Sequence, residues 1–215
     1  RGLKNYWVAC GVMAGFSQGG GVGLSLANWM INGDPGADIW GMDVARFGDW
    51  ATMAYANAKV RENYSRRFRI RFPNEELVAA RPLKTTPIYD RLKAENAVFG
   101  DYWGMEHALW FAPKGTEPVE EICFTRSNAH PHVAAEVKAV RTGVGMVETS
   151  NYGKFEVRGP GAEAWLSRMM ANRMPKVGRI ALTPMLNDRG KLIGDFTIAR
   201  LGAQEFFLVG TMAAE

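Results

Sequence analysis

Apolar and polar residues alternate with a period of two along three consecutive stretches near the end of the chain. These are RIALTPML, KLIGDFTIARL and EFFLVGT, separated by the turn sequences NDRG and GAQ. The pattern predicts a three-stranded antiparallel meander. YGKFEVRG just upstream alternates in the same way, and GPGAEAWLSRMMANRMP predicts a helix presenting Trp165, Leu166, Met169 and Met170. HPHVAAEVKAVRTGVG predicts another helix, with Pro131 in its first turn and Val133, Val137 and Val140 as its apolar series. In the middle of the chain, IYDRLKAEN reads as a short helix, AVFGDYW and HALWFAP as aromatic-rich strands, and YANAKVRENYSRRF as a polar helix. RRFRIRF predicts a strand with Phe68, Ile70 and Phe72 on one face and Arg67, Arg69 and Arg71 on the other. Near the start, Tyr6–Cys10 reads as a buried strand. A helix from about Val22 to Ile31 is expected to be buried on most sides, capped by Gly33 and stopped by Pro35. The elements together predict an α+β chain.

Between that strand and that helix lies GFSQGGGVG, with five glycines in nine positions. Interior glycine weakens secondary structure, so a bare backbone here needs a reason. A glycine turn leading into a helix start can present N–H groups and the positive helix end to an anion or an electron-rich ring. It can equally allow a close strand–helix crossing. The spacing does not separate the two, and it matches neither a dinucleotide fingerprint nor a P-loop.

Composition narrows the options. The 215 residues are 47% hydrophobic and 22% charged, and the net charge is +4. These values suit a globular protein whose basic excess is spread rather than clustered. No apolar run reaches the length of a membrane span. The arginine strand is expected to be a solvated sheet face, and its cationic side lacks the aromatics that stack bases, so no nucleic-acid partner is expected. Cys10 and Cys123 match no metal or redox spacing, and Cys10 reads as a small buried hydrophobe. The three histidines, His107, His130 and His132, have no ligand-spaced companions, so no metal is expected, and no hydrolase triad is supported. The opening RGLKNYWVACGV has no leader-like segment before its strand and reads as the interior of a longer chain.

One acid stands out. Asp195 lies inside the strand-like run LIGDFTI, where aspartate is disfavoured, with Ile193 and Thr197 on its own face. If that face is solvated, the residue is ordinary; if it lines a pocket, the carboxylate can hold a cationic or hydrogen-bonding ligand. Pattern alone favours the solvated reading.

Three long segments resemble one enzyme family. NYWVACGVMAGFSQGGGVGLSLANWMINGDPG resembles the end of the flavin domain of dimethylglycine and sarcosine dehydrogenases and oxidases, and RPLKTTPIYDRLKAENAVFGDYWGMEHALWF resembles their central domain. TSNYGKFEVRGPGAEAWLSRMMANRMPKVGRIALTPMLNDRGKLIGDFTIARL resembles the opening of their folate domain, which is similar to the glycine-cleavage T-protein, an aminomethyltransferase. The resemblance implies residues 1–50 as the end of an FAD-dependent oxidoreductase domain, 51–118 as the central domain and 119–215 as the N-terminal part of a folate-binding domain. It implies an enzyme that uses FAD to oxidise a small N-methyl amino acid, dimethylglycine or sarcosine, and passes the one-carbon unit to tetrahydrofolate. Its site would need the remainder of a parent chain, located in the cytoplasm or, in a eukaryote, the mitochondrial matrix. Gly15, Ser17, Gln18, Gly19, Gly20 and Gly21 would contact the flavin. Asp195 would be the catalytic acidic residue at the folate, aimed by a turn at Asn187 and Gly190. Gly194 stands where the T-protein pattern has a first acid, and His107 and Ala108 depart from the family's usual central motif. A folate-binding module without catalysis is the alternative, and it would have no use for the glycine segment or the central region.

Overall fold

A computed structural model describes residues 3–12 and 14–211. The chain forms two compact units, Arg1–Ala58 and Lys59–Glu215.

In the first unit the glycines do not form a loop. Helix α1 spans Gly15–Asn32, so it begins seven residues before the expected start, and all five glycines are helical. The amide groups of Ser17 and Gln18 both donate to the Ala14 carbonyl, at 3.1 and 2.9 Å, which closes the first turn over the glycines. Its end is as expected: Gly33 adopts the left-handed conformation at φ 75° and donates to the Trp29 carbonyl. No residue of α1 is buried, contrary to the expected core helix. Tyr6–Cys10 is not a strand, and Cys10 is exposed rather than buried. A strand needs a ladder partner, and none of the strands among the described residues lies in this unit. Trp7 instead packs edge-on against Trp29 at 5.5 Å. Two single-turn 3-10 helices, Trp40–Met42 and Val44–Arg46, follow, and Asp43 caps the second by accepting from Ala45 N at 2.7 Å.

Helix α2 (Met53–Ser65) leads into RRFRIRF, which folds as turns and not as the predicted strand. Glu75 is the reason. Its carboxylate draws in Arg66 and Arg69 together, while Arg67 lies over the rings of Tyr64 and Phe68. Of the alternating arginines, Arg69 thus turns to Glu75 and Arg67 to the two rings, and they share no common partner among the described residues.

Helix α3 (Tyr89–Ala94) precedes a hairpin of strands β1 (Ala97–Tyr102) and β2 (Met105–Phe111). The two linking residues, Trp103 and Gly104, both have positive φ, 52° and 83°, as a tight two-residue hairpin turn requires. Arg81 braces the hairpin. Its Nε and Nη2 donate to the two Glu106 carboxylate oxygens, both at 2.7 Å, Nη2 also donates to the Phe99 carbonyl, and Nη1 donates to Glu76. Helix α4 (Ala129–Thr142) adds Ala129 to a small core with Val98, Trp110 and Ala112, and His132 stacks on Trp110.

The remaining strands form one antiparallel sheet in the order β3–β6–β5–β4, with β3 Tyr152–Arg158, β4 Ile180–Leu186, β5 Leu192–Gly202 and β6 Glu205–Thr211. The predicted meander β4–β5–β6 is therefore present. One face packs under helix α5 (Ala162–Met169), where Leu166, Ile198 and Phe206 are fully buried with Phe196, Leu208, Ala162 and Met170 around them. Gly210 is part of this fit, because a Cβ there would lie 2.6 Å from the Phe196 ring. The α+β expectation holds.

Candidate functional site

Alternation along the sheet decides what surrounds Asp195. Phe196 and Ile198 point into the core under α5, so Ile193, Asp195, Thr197 and Ala199 share the opposite face. The register brings Pro184 of β4 opposite Asp195, Leu182 opposite Thr197 and Ile180 opposite Ala199. Across β6, Val209 pairs with Thr197, and β3 adds Tyr152 opposite Thr211. On its β4–β5 side this outer face is not the polar surface that the solvated reading requires. Ile180, Leu182 and Ile193 are each 60% or more exposed on it. The Asp195 carboxylate thus stands in an apolar patch on the β4–β5 side of a face whose β3 side carries Lys154, Glu156 and Arg158. Asp195 has no hydrogen-bond or ion-pair partner among the described residues.

The neighbouring turn is built as the sequence suggested. Asn187 Oδ1 accepts from Arg189 N and Lys191 N, Gly190 N donates to the Asn187 carbonyl, and Gly190 has φ 72°. Pro184 sits in β4, an edge strand that tolerates a missing donor.

Two tyrosines that sequence reasoning passed over lie at the same end of the face. Tyr152 is half exposed and pairs with Thr211, and the Tyr102 hydroxyl lies 2.9 Å from Thr211 Oγ1. Continuing the β5–β6 register one step beyond Phe196–Gly210 sets Thr211 opposite Asp195. The row therefore reads Tyr152, Thr211, Asp195, Pro184, with Tyr102 reaching it from the hairpin. A flat heteroaromatic ring laid on such a surface meets apolar side chains beneath it and acceptors and hydroxyls at its edge.

The other expected site residues belong to the first unit. Gly15, Ser17, Gln18, Gly19, Gly20 and Gly21 all lie in the first two turns of α1. A Cβ added at Gly15, Gly19, Gly20, Gly21 or Gly23 would meet nothing within 4 Å, so no neighbouring residue crowds them as a tight crossing would.

Among the histidines, His132 is stacked on Trp110, His130 Nε2 lies 3.2 Å from Arg126, and His107 Nδ1 is buried without a partner among the described residues. No group of three or more His, Cys, Asp or Glu side chains is gathered for a metal among the described residues. Two titrating groups are displaced. The Arg81 guanidinium is held above its ordinary value by its hydrogen bonds with Glu106, and burial pushes the Tyr89 phenol up. No helix among the described residues is long and apolar enough to cross a membrane.

Comparison with known families puts these elements in order. Residues 88–215 match the GCVT N-terminal domain, and residues 32–86 match the FAD dependent oxidoreductase central domain. The chain belongs to the GCVT N-terminal domain family. Both the hairpin carrying Tyr102 and the sheet carrying Asp195 lie inside the matched span. Over its whole length the chain is 34% identical to mitochondrial dimethylglycine dehydrogenase of Mus musculus, of which it covers 25%. It is 36% identical to 4-methylaminobutanoate oxidase (formaldehyde-forming) of Paenarthrobacter nicotinovorans over 96% of the chain and 26% of that protein. It is 32% identical to the mitochondrial pyruvate dehydrogenase phosphatase regulatory subunit of Mus musculus over 96% of the chain and 25% of that protein. The resemblance read from the sequence segments is thus borne out across the whole chain. The chain spans about a quarter of the length of these relatives.

Proposed function

We propose that this chain is part of an FAD- and tetrahydrofolate-dependent dehydrogenase of small N-methyl amino acids, dimethylglycine or sarcosine, and contributes the folate-facing sheet of that enzyme. Residues 1–50 then close an FAD-binding domain, 51–118 form the central domain and 119–215 open the folate domain, although the family matches draw both internal boundaries earlier, at residue 32 and between 86 and 88. The observation that carries the reading is the unpaired Asp195 carboxylate in an apolar patch of the sheet's outer face, beside Thr211 and the two tyrosines. It fits the donor-rich edge of a reduced pterin. When bound, FAD supplies the oxidation of the N-methyl carbon and tetrahydrofolate supplies the acceptor for that carbon.

Asp195 accepts a hydrogen bond from a ring N–H, orienting the ring and holding negative charge beside it. The apolar neighbours Leu182, Pro184, Ile193 and Val209 exclude water from that bond, which strengthens it and protects a reactive one-carbon unit from hydrolysis. On the flavin side, the side-chain-free surface of Gly15, Gly19, Gly20 and Gly21 permits close approach of a flat ring, with Ser17 and Gln18 supplying polar groups beside it. This agrees with the open space at those positions. The partners are the substrate and the rest of the parent chain, in the cytoplasm or the mitochondrial matrix.

The test is Asp195→Asn in the full-length parent. Loss of a charge-assisted hydrogen bond of about 1.5–3 kcal/mol should weaken tetrahydrofolate binding roughly 10- to 100-fold by calorimetry. Affinity within twofold of the parent would refute the site. A second reading, a folate-binding module without catalysis, is favoured by the relative named as a regulatory subunit. Bleaching of a full-length protein's flavin absorbance on adding dimethylglycine or sarcosine would exclude it.

A further inference from the structure

The hairpin β1–β2 has a bracing that its own small core does not require. The Asp101 amide donates to Glu76 Oε2 at 2.9 Å, and Gly104 N donates to Asp101 Oδ1 at 2.7 Å, so both sides of the tip are fixed. Arg81 ties Glu76 and the buried Glu106 together beneath it. What the rigid tip presents is Tyr102, still 38% exposed, with its hydroxyl on Thr211 Oγ1 and its ring edge-on to His107 at 6.1 Å. Thr211 belongs to the last turn of the ladder on the outer face, in the row that holds Asp195. A phenol both donates and accepts, so the bond to Thr211 uses one capacity and leaves the other for a ligand.

We infer that Tyr102 is a ligand-binding residue of the Asp195 site, contributed by the hairpin and not by the sheet. Its hydroxyl, oriented by Thr211, makes the second polar contact to the flat heteroaromatic ligand that Asp195 holds. This rests on the reading of Asp195 given above, and it extends the site from one sheet to two separate elements. A carboxylate alone selects a donor edge. A carboxylate and a phenol that both adjoin Thr211 select a ring with two polar groups, which a simple cation or an aliphatic amine does not offer.

The experiment titrates 5-formyltetrahydrofolate, a stable reduced folate, into the full-length protein by calorimetry. Four forms are compared: parent, Tyr102→Phe, Asp195→Asn and the double variant. Tyr102→Phe keeps the ring against His107 and removes only the hydroxyl. It should weaken binding about 3- to 10-fold, the worth of one neutral hydrogen bond. The double variant should bind more weakly than either single variant, and any departure from the product of the two losses measures their coupling through Thr211. Asp195→Asn weakened at least tenfold with Tyr102→Phe unchanged would overturn the inference and leave the site standing. Asp195→Asn unchanged would overturn the site and the inference with it. If Tyr102→Phe lowers the melting temperature by more than a few degrees, Thr211→Val gives the same reading: about threefold weaker binding supports the inference, and unchanged binding overturns it.

Discussion

Replacing Arg81 by methionine tests whether the hairpin is held electrostatically. Arg81 is 13% exposed and Glu106 4%, so the substitution leaves a carboxylate buried without the fork that held both its oxygens. It also removes a donor from the Phe99 carbonyl and a 2.7 Å contact from Glu76, which is more exposed and so less affected. Breaking a buried pair on one side costs about 3–5 kcal/mol, because the remaining charge has lost its compensation. For a unit of this size that is a fall in melting temperature of roughly 6–20 °C. The assay is urea unfolding followed by tryptophan fluorescence, in which buried Trp110 on the same hairpin reports the local core. Removing both charges, as Arg81→Met with Glu106→Leu, should recover most of the loss, whereas Lys114→Ala, which breaks the exposed pair with Glu95, should change stability by less than about 0.5 kcal/mol. The pH dependence has a definite sign. A guanidinium held above its ordinary value contributes stability that is complete at every pH below that value and is lost only above it, so the parent keeps this contribution in full from pH 6 to 9, while the variant's loss should shrink towards low pH as the uncompensated Glu106 takes up a proton. A loss below about 1 kcal/mol for Arg81→Met would refute the bracing argument.

Leu166 is fully buried between α5 and the sheet, and Leu166→Ala should cost about 3–5 kcal/mol in urea unfolding, since Phe196, Ile198 and Phe206 are too well packed to close the cavity. Burial holds the Tyr89 phenol protonated beyond the ordinary tyrosine range, with Glu106 adding to the effect, so Tyr89 should be late to ionise in an absorbance titration and its contribution to stability should decline as pH climbs past about 10. Tyr89→Phe should remove that late phase.

Where the sequence was legible, local pattern and tertiary partner agreed. The meander β4–β5–β6 and helix α5 were readable because each apolar alternation found a facing element, and the NDRG turn carries its own chemistry in Asn187 and Gly190. Tyr6–Cys10 and RRFRIRF have equally strand-like patterns, yet neither is a strand. Neither has a ladder partner among the described residues, and in the second Glu75 pairs with Arg66 and Arg69 while Arg67 lies on Tyr64 and Phe68. Period alone cannot see a carboxylate several residues away. The glycines misled for a different reason. Their low propensity argued for a loop, but five interior glycines at about 1 kcal/mol each still fit a helix of 18 residues that ends in a strong cap. The site was legible only in part. Asp195 could be found as an acid in a strand, but Tyr102 is 109 residues from Thr211, and no local signal connects them.

The character of the outer face was the missing term in the reading of Asp195, and it depends on strand order. In a meander alone, Asp195 has neighbours only from β4 and β6, and a threonine and a proline beside it suit a wet surface. The return of β3 to the far side of β6 changes this by adding Tyr152 at one end of the row, while Ile180, Leu182 and Ile193 make the β4–β5 side of the face greasy. Lys154 and Glu156 of β3 put polar side chains on the far side of this same face, opposite Val209 and Phe207, so the apolar patch is confined to the β4–β5 side around Asp195. An aspartate within that patch gains nothing for folding, since it forms no internal bond among the described residues and interrupts apolar surface. Its presence is accounted for by something the face binds, and the tyrosines at the same end of the row give that something a ring.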